Sequence, residues 1–173
     1  MTAAMGDDTS DQTSDQSSDH TTGGSAGARA ATLGRALQAG IERDRAVLAG
    51  LCTPDVRAWT PTFAASGLDE LLDVLDGRDE AFSDLVLELS PLDVGGAYAC
   101  VEWSLTMTHS GRLVLGDLGL DATGLRVTVH GVSVAEFHGE QICSVRQYWD
   151  ELSLLDQLGV LGEPGSDPTA GAR

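Results

Sequence analysis

The sequence predicts an α+β fold in which helices cover one face of a curved antiparallel sheet. Three observations predict it. Between Leu33 and Leu75 the apolar residues recur at helical spacing. From Ser83 to Trp149 they largely alternate with polar ones, the period of a half-buried strand. A leucine-rich segment from Asp150 to Leu161 then returns to helical spacing.

The elements follow in order. Leu33, Ala36, Leu37, Ala39 and Ile41 predict a first helix. Asp44 opens a short second one through Val47, Leu48 and Leu51, and Thr53-Pro54 stops it, because the residue before a proline avoids the helical region. "VRAWTP" reads as a short extended piece ending at Pro61. Gly67-Leu68-Asp69 begins a third helix, with Leu68, Leu71, Leu72 and Leu75 on one stripe.

The period then changes. "SDLVLELSPL" alternates, with Leu85, Leu87 and Leu89 on one side. Gly95-Gly96 signals a hairpin. In "AYACVEWSLTMTHSG" the odd positions Ala99, Val101, Trp103, Leu105 and Met107 are apolar and the even ones mostly polar. One face of that strand therefore points to a core. "LVLGDLGLDATG" reads as a loop, and "RVTVHGVSVAEF" and "QICSVRQYWD" as the last two strands, with a turn at "HGE". Asp150 is a helix N-cap, and Glu151 suits the positive end of the helix dipole. Leu154, Leu155, Leu158 and Leu161 form the stripe of a closing helix, which Gly159, Gly162 and Pro164 end. A helix of about ten residues is marginal alone, so it must dock on the sheet or on another subunit.

Of 173 residues, 42% are hydrophobic, enough for one cored domain. Residues 1–27 are nearly all Asp, Ser, Thr, Gln, Ala and Gly and predict a disordered acidic tail; residues 163–173 predict a second flexible tail. The domain between them spans residues 28–162. Twenty-seven acids face 10 basic residues, all of them Arg, for a net charge of −17. Such a charge repels phosphate backbones and anionic lipid, so neither nucleic acid nor a membrane is an expected partner. Cys52, Cys100 and Cys143 are odd in number and form no CxxC pair, which predicts free thiols and no zinc site. The start of the chain shows no signal-peptide pattern, and no run is long and apolar enough to span a membrane, so a cytoplasmic protein is expected.

Several segments together resemble one family. "FSDLVLEL", "VEWSLTMTHSG", "ATGLRVTVHGVSVAEF" and the closing "YWDELSLLDQLGVL" stand in the order and spacing of SnoaL-like proteins, a branch of the nuclear transport factor 2-like superfamily. "LAGLCTPDVRAWTP" is similar to that family's passage from second helix to first strand. The resemblance covers about residues 30–161. It implies a cone-shaped barrel: a strongly curved antiparallel sheet wrapped around the N-terminal helices, enclosing a pocket and closed by the C-terminal helix. It also implies a homodimer through sheet faces, which the outward-facing Val132 and Val134 would suit. The activities it implies are cofactor-independent ones on hydrophobic, oxygenated, polyketide-type molecules: cyclase or isomerase chemistry first, epoxide opening below it. A non-catalytic binding or interaction module of the same fold is the alternative.

A cyclase or isomerase removes a proton beside a carbonyl and steadies the resulting oxyanion. The acid–base pair of ring-closing relatives aligns with Ser133 and Gln147, neither of which is an acid or a base. These two are expected to orient substrate by hydrogen bonds. His109, at the end of an inner face, is the one titratable group left there and the expected catalytic residue. His130 has outward parity, His138 lies in a turn and His20 in the tail. Trp59, Phe63, Trp103 and Trp149, with Tyr148, are expected to line an aromatic pocket. Epoxide opening would need a buried carboxylate such as Asp69, Asp117 or Asp121. No metal or organic cofactor is expected.

Overall fold

The computed structural model describes residues 22–76, 80–92, 94–115 and 118–161. Both predicted tails lie largely outside these residues, as do His20 and Asp117. Among the described residues there are four helices, one six-stranded sheet and a separate hairpin.

Helix α1 (Thr22–Glu42) begins ahead of Leu33, the first residue of the expected stripe, and ahead of residue 28, the expected start of the domain. It buries Ala30, Leu33 and Ala39. Gly34 lets it lie close to the sheet, because a methyl group there would come within 3.0 Å of Leu89 Cδ1. The helix ends as Arg43 turns left-handed (φ 58°), with the Asp44 N–H donating to Ala39 O at 2.9 Å. That is a Schellman closure with Arg where Gly is usual. Asp44 then caps α2 (Arg45–Leu51), accepting from the Val47 N–H at 3.0 Å.

Strand β1 (Cys52–Trp59) starts directly after α2, and a three-residue strand the sequence did not signal, β2 (Ala64–Ser66), pairs back on it. Helix α3 (Leu68–Asp76) buries Leu71, Leu72 and Leu75. Exposed Arg45 joins α2 to α3 through Asp76.

Strand β3 (Phe82–Leu92) carries a bulge: Ser83 pairs with Thr108 but Val86 with Thr106, so β3 holds one extra residue. Asp84 absorbs it at φ 52°. Leu87 and Leu89 therefore keep the inner face, and Leu85, expected beside them, is 42% exposed. Strands β4 (Tyr98–His109), β7 (Arg126–His138) and β8 (Gln141–Trp149) form the expected meander. The expected loop between β4 and β7 is instead a hairpin, β5 (Leu113–Leu115) and β6 (Leu118–Leu120).

The sheet order is β2-β1-β8-β7-β4-β3. Two expectations change here. The sheet is mixed, because β1 runs parallel to β8. The whole meander separates these two strands in the chain, so no tight turn forces them antiparallel. The sheet is also open, with β2 and β3 at its edges, and is not a closed barrel.

Helix α4 (Glu151–Gln157) is capped by Asp150, whose Oδ1 accepts from the Ser153 N–H at 3.1 Å. Leu154 and Leu158 are buried, whereas Leu161, expected in the stripe, is 43% exposed because the helix ends before it. Gln157 fixes the docking: its Oε1 accepts from the Thr128 N–H and its Nε2 donates to Thr128 O, each at 2.9 Å. β8 stops pairing with β7 at Gly131, so Gln157 takes the place of a missing strand.

Two apolar clusters result. The first joins α1, α2 and α3 to β1, β8, the start of β4 and the end of β7. The second gathers Met107, Val127 and Val129 under Leu154 and Leu158 of α4.

Candidate functional site

A cavity of about 200 Å³ opens inside the first cluster. Leu33, Leu37 and Ile41 of α1 and Leu71 and Leu75 of α3 form one wall. The sheet forms the other, and its lining is set by register. Trp103 of β4, Gly131 of β7 and Trp149 of β8 lie in one row across three strands. Val101, Ser133 and Gln147 form the next row. All point inward, because strand side chains alternate and the odd residues of these strands share the inner face.

The rows explain the shape. Gly131 has an indole on either side, and a Cβ added to it would sit 2.3 Å from Trp103 Cζ2. Only glycine leaves room for the Trp103 ring to lie against the strand. The Trp103 Nε1–H then donates to Ser133 Oγ at 3.0 Å. Ser133 is fully buried, so no water competes for that bond.

The rim comes from the β1–β2 turn. Thr60 is buried, and its Oγ1 accepts from the N–H groups of Thr62 and Phe63 at 3.2 and 3.1 Å. This turn holds Trp59 and Phe63 at the cavity. Trp59 is 43% exposed and packs against the outward Tyr148, ring centroids 5.2 Å apart.

Five of the expected binding residues thus line one cavity: Trp59, Phe63, Trp103, Gln147 and Trp149. Ser133 stands directly opposite Gln147 but behind the lining, holding Trp103. The Gln147 carboxamide has no hydrogen-bond partner among the described residues, so its donor and acceptor are available to a guest. Cys52 also lines the cavity, and burial pushes its thiol up to about 11, which keeps it protonated and poorly nucleophilic.

His109 lies elsewhere. It faces inward but sits six residues beyond Trp103, about 20 Å along an extended strand. The ring is fully buried and packs on Phe82, centroids 5.3 Å apart. Its Nδ1 accepts from the Thr123 N–H at 3.2 Å and meets Thr123 Oγ1 at 3.0 Å. An accepting Nδ1 carries no proton, which leaves it on Nε2, and that atom has no partner among the described residues. His109 latches the loop after β6; it does not line the cavity.

The carboxylates are outside as well. Asp69 is exposed, and Asp121 is exposed and paired with Arg112 at 2.8 Å. Among the described residues no three His, Cys, Asp or Glu side chains converge as a metal site requires. No helix among them is long and apolar enough to cross a membrane. Sequence reasoning missed Thr60 and the α1 and α3 walls. Thr-Pro-Thr-Phe is a legible turn signal for the former; nothing in the helical spacing tells a cavity wall from a packed core.

Helices laid over a mixed sheet, with an apolar ligand-sized cavity between, define the class: a nuclear transport factor 2-like fold. The SnoaL-like polyketide cyclase family matches residues 31–158, and the chain belongs to that family. Solved structures of the same fold include AclR from Streptomyces galilaeus, a candidate hydroxylase: TM-score 0.63, 23% identity, 79% of this chain and 98% of its own. A candidate SnoaL-like polyketide cyclase from Jannaschia sp. CCS1 aligns at TM-score 0.64 and 21% identity over 87% of this chain and 99% of its own. A LEH-like epoxide hydrolase of M. tuberculosis aligns at 0.57 and 16%, over 78% and 91%. Among curated proteins, none matches this chain in sequence.

Proposed function

We propose that the protein is a small-molecule cyclase or isomerase. Its substrate is a hydrophobic, carbonyl-bearing molecule of polyketide type, held in the cavity between α1, α3 and the sheet. One observation carries the reading: a single unpartnered carboxamide, Gln147, on a wall that is otherwise largely apolar and aromatic. Such a wall desolvates the guest, and the carboxamide N–H is where a carbonyl oxygen would be held and a developing oxyanion steadied. Family membership supports the same reaction type. We infer further that the sheet curves around the helices as a cone and so encloses the guest.

The lining supplies no carboxylate or imidazole among the described residues. Rate enhancement therefore rests on folding the substrate so that its reacting atoms meet, with protons exchanged through solvent or within the substrate. The same observation favours a second reading, binding without turnover. Epoxide opening, which needs a buried carboxylate, gains nothing from the exposed Asp69 and Asp121.

Incubation with short linear poly-β-ketone esters and with β,γ-unsaturated cyclic ketones separates these readings. The proposal expects turnover above the buffer rate, reduced at least about tenfold in Gln147→Leu. Saturable binding with no product would establish the second reading instead.

A further inference from the structure

We propose that the cavity admits only compact, uncharged molecules no larger than one or two rings, and that Trp103, seated by Gly131 and Ser133, sets that limit. The inference rests on the cavity being the substrate site.

Size comes first. A dry cavity of about 150 Å³ holds a benzene ring. The volume here is about 200 Å³, room for one substituted ring or a small fused pair. A linear array of three or four rings does not fit within that volume.

Charge comes next. Among the lining residues none carries a charge at neutral pH, and the Cys52 thiol is held protonated by burial. A carboxylate or phosphate placed there would lose its hydration and find no cation. The net charge of −17 adds a long-range penalty for anions.

The limit itself is traceable to one side chain. Trp103 touches both the cavity and the second cluster, as do Leu105 and Trp149. These three form the partition that ends the cavity. Leu105 and Trp149 have no polar anchor among the described residues, whereas the Trp103 indole is fixed on two sides. Gly131 lets it lie flat, and Ser133 holds its Nε1. A ring so fixed does not swing aside for a longer guest. Shortening it opens the wall toward the second cluster.

Calorimetric titration with 1-tetralone (two rings), anthrone (three rings) and 1-naphthoate (two rings, anionic) tests this. The wild type is expected to bind 1-tetralone, with anthrone and 1-naphthoate at least about tenfold weaker. Trp103→Ala and Trp103→Phe are expected to shift the anthrone-to-tetralone ratio at least about tenfold toward anthrone, and Ser133→Ala to shift it the same way by less. Gly131→Ala is expected to tip the indole into the cavity and lose 1-tetralone. Circular dichroism checks folding, and if Trp103→Ala does not fold, Trp103→Phe and Ser133→Ala carry the comparison. Equal wild-type affinity for two and three rings, or an unchanged ratio in the folded variants, overturns this inference alone. Failure of every probe to bind the wild type and the Trp103 variants overturns it together with the substrate site.

Discussion

Gln147, Ser133 and Trp103 show how much a single register decides. Ser133 and Gln147 are cross-strand partners, and the alternation of β7 and β8 alone makes that pairing legible. What Ser133 does was not legible. Its hydroxyl is spent on an indole from a third strand, 30 positions away in the chain. His109 illustrates a different limit. Periodicity tells which face a side chain takes, not where along a twelve-residue strand the cavity lies. β4 spans two clusters, hollow at Trp103 and filled at His109, and both positions share one parity.

Cys52 supplies a prediction at this scale. Burial raises its thiol from the ordinary 9.0 to about 11. The unfolded chain therefore ionises first as pH rises. The stability tied to this group is intact below about pH 9 and falls away as pH climbs toward 11. In the folded protein at about pH 8, iodoacetamide is expected to modify Cys52 far more slowly than the half-buried Cys143, with denaturation levelling the rates. Peptide mass spectrometry reads the order, and equal rates in the folded protein would contradict it.

Among the elements, α4 depends most on a contact that sequence patterning does not show. Its seven residues are too few to be stable alone. Leu154 and Leu158 anchor it by burial, about 1.5–3 kcal/mol each. Gln157 adds two hydrogen bonds to the Thr128 backbone, where β7 has run past its partner strand. Gln157→Ala hands that exposed backbone N–H and C=O to water and is expected to cost about 0.5–1.5 kcal/mol. A lower urea midpoint, with faster hydrogen exchange at Thr128, would record it; an unchanged midpoint would mean water replaces the amide without loss. The cap at Asp150 and the leucine stripe were readable from spacing, as were α2, α3 and the meander. The parallel β1–β8 pair, β2 and the β3 bulge were not. Each depends on how distant segments meet, and a local pattern carries no record of that.

At the scale of the molecule, the fold divides its interior in two. Helices α1 and α3 pack on the sheet but enclose a cavity against it, while α4 covers the sheet with no such space beneath it. The partition of Trp103, Leu105 and Trp149 separates the halves. Strong negative charge surrounds a lining without charge, so a neutral guest meets the least opposition. The function of the cavity turns on where that guest sits. A crystal structure of the complex with 1-tetralone tests it most directly. The predicted result is the ligand inside the cavity, its carbonyl oxygen within hydrogen-bond distance of the Gln147 amide nitrogen. A ligand bound on the outer sheet face, or beside His109 in the second cluster with the cavity empty, would contradict it.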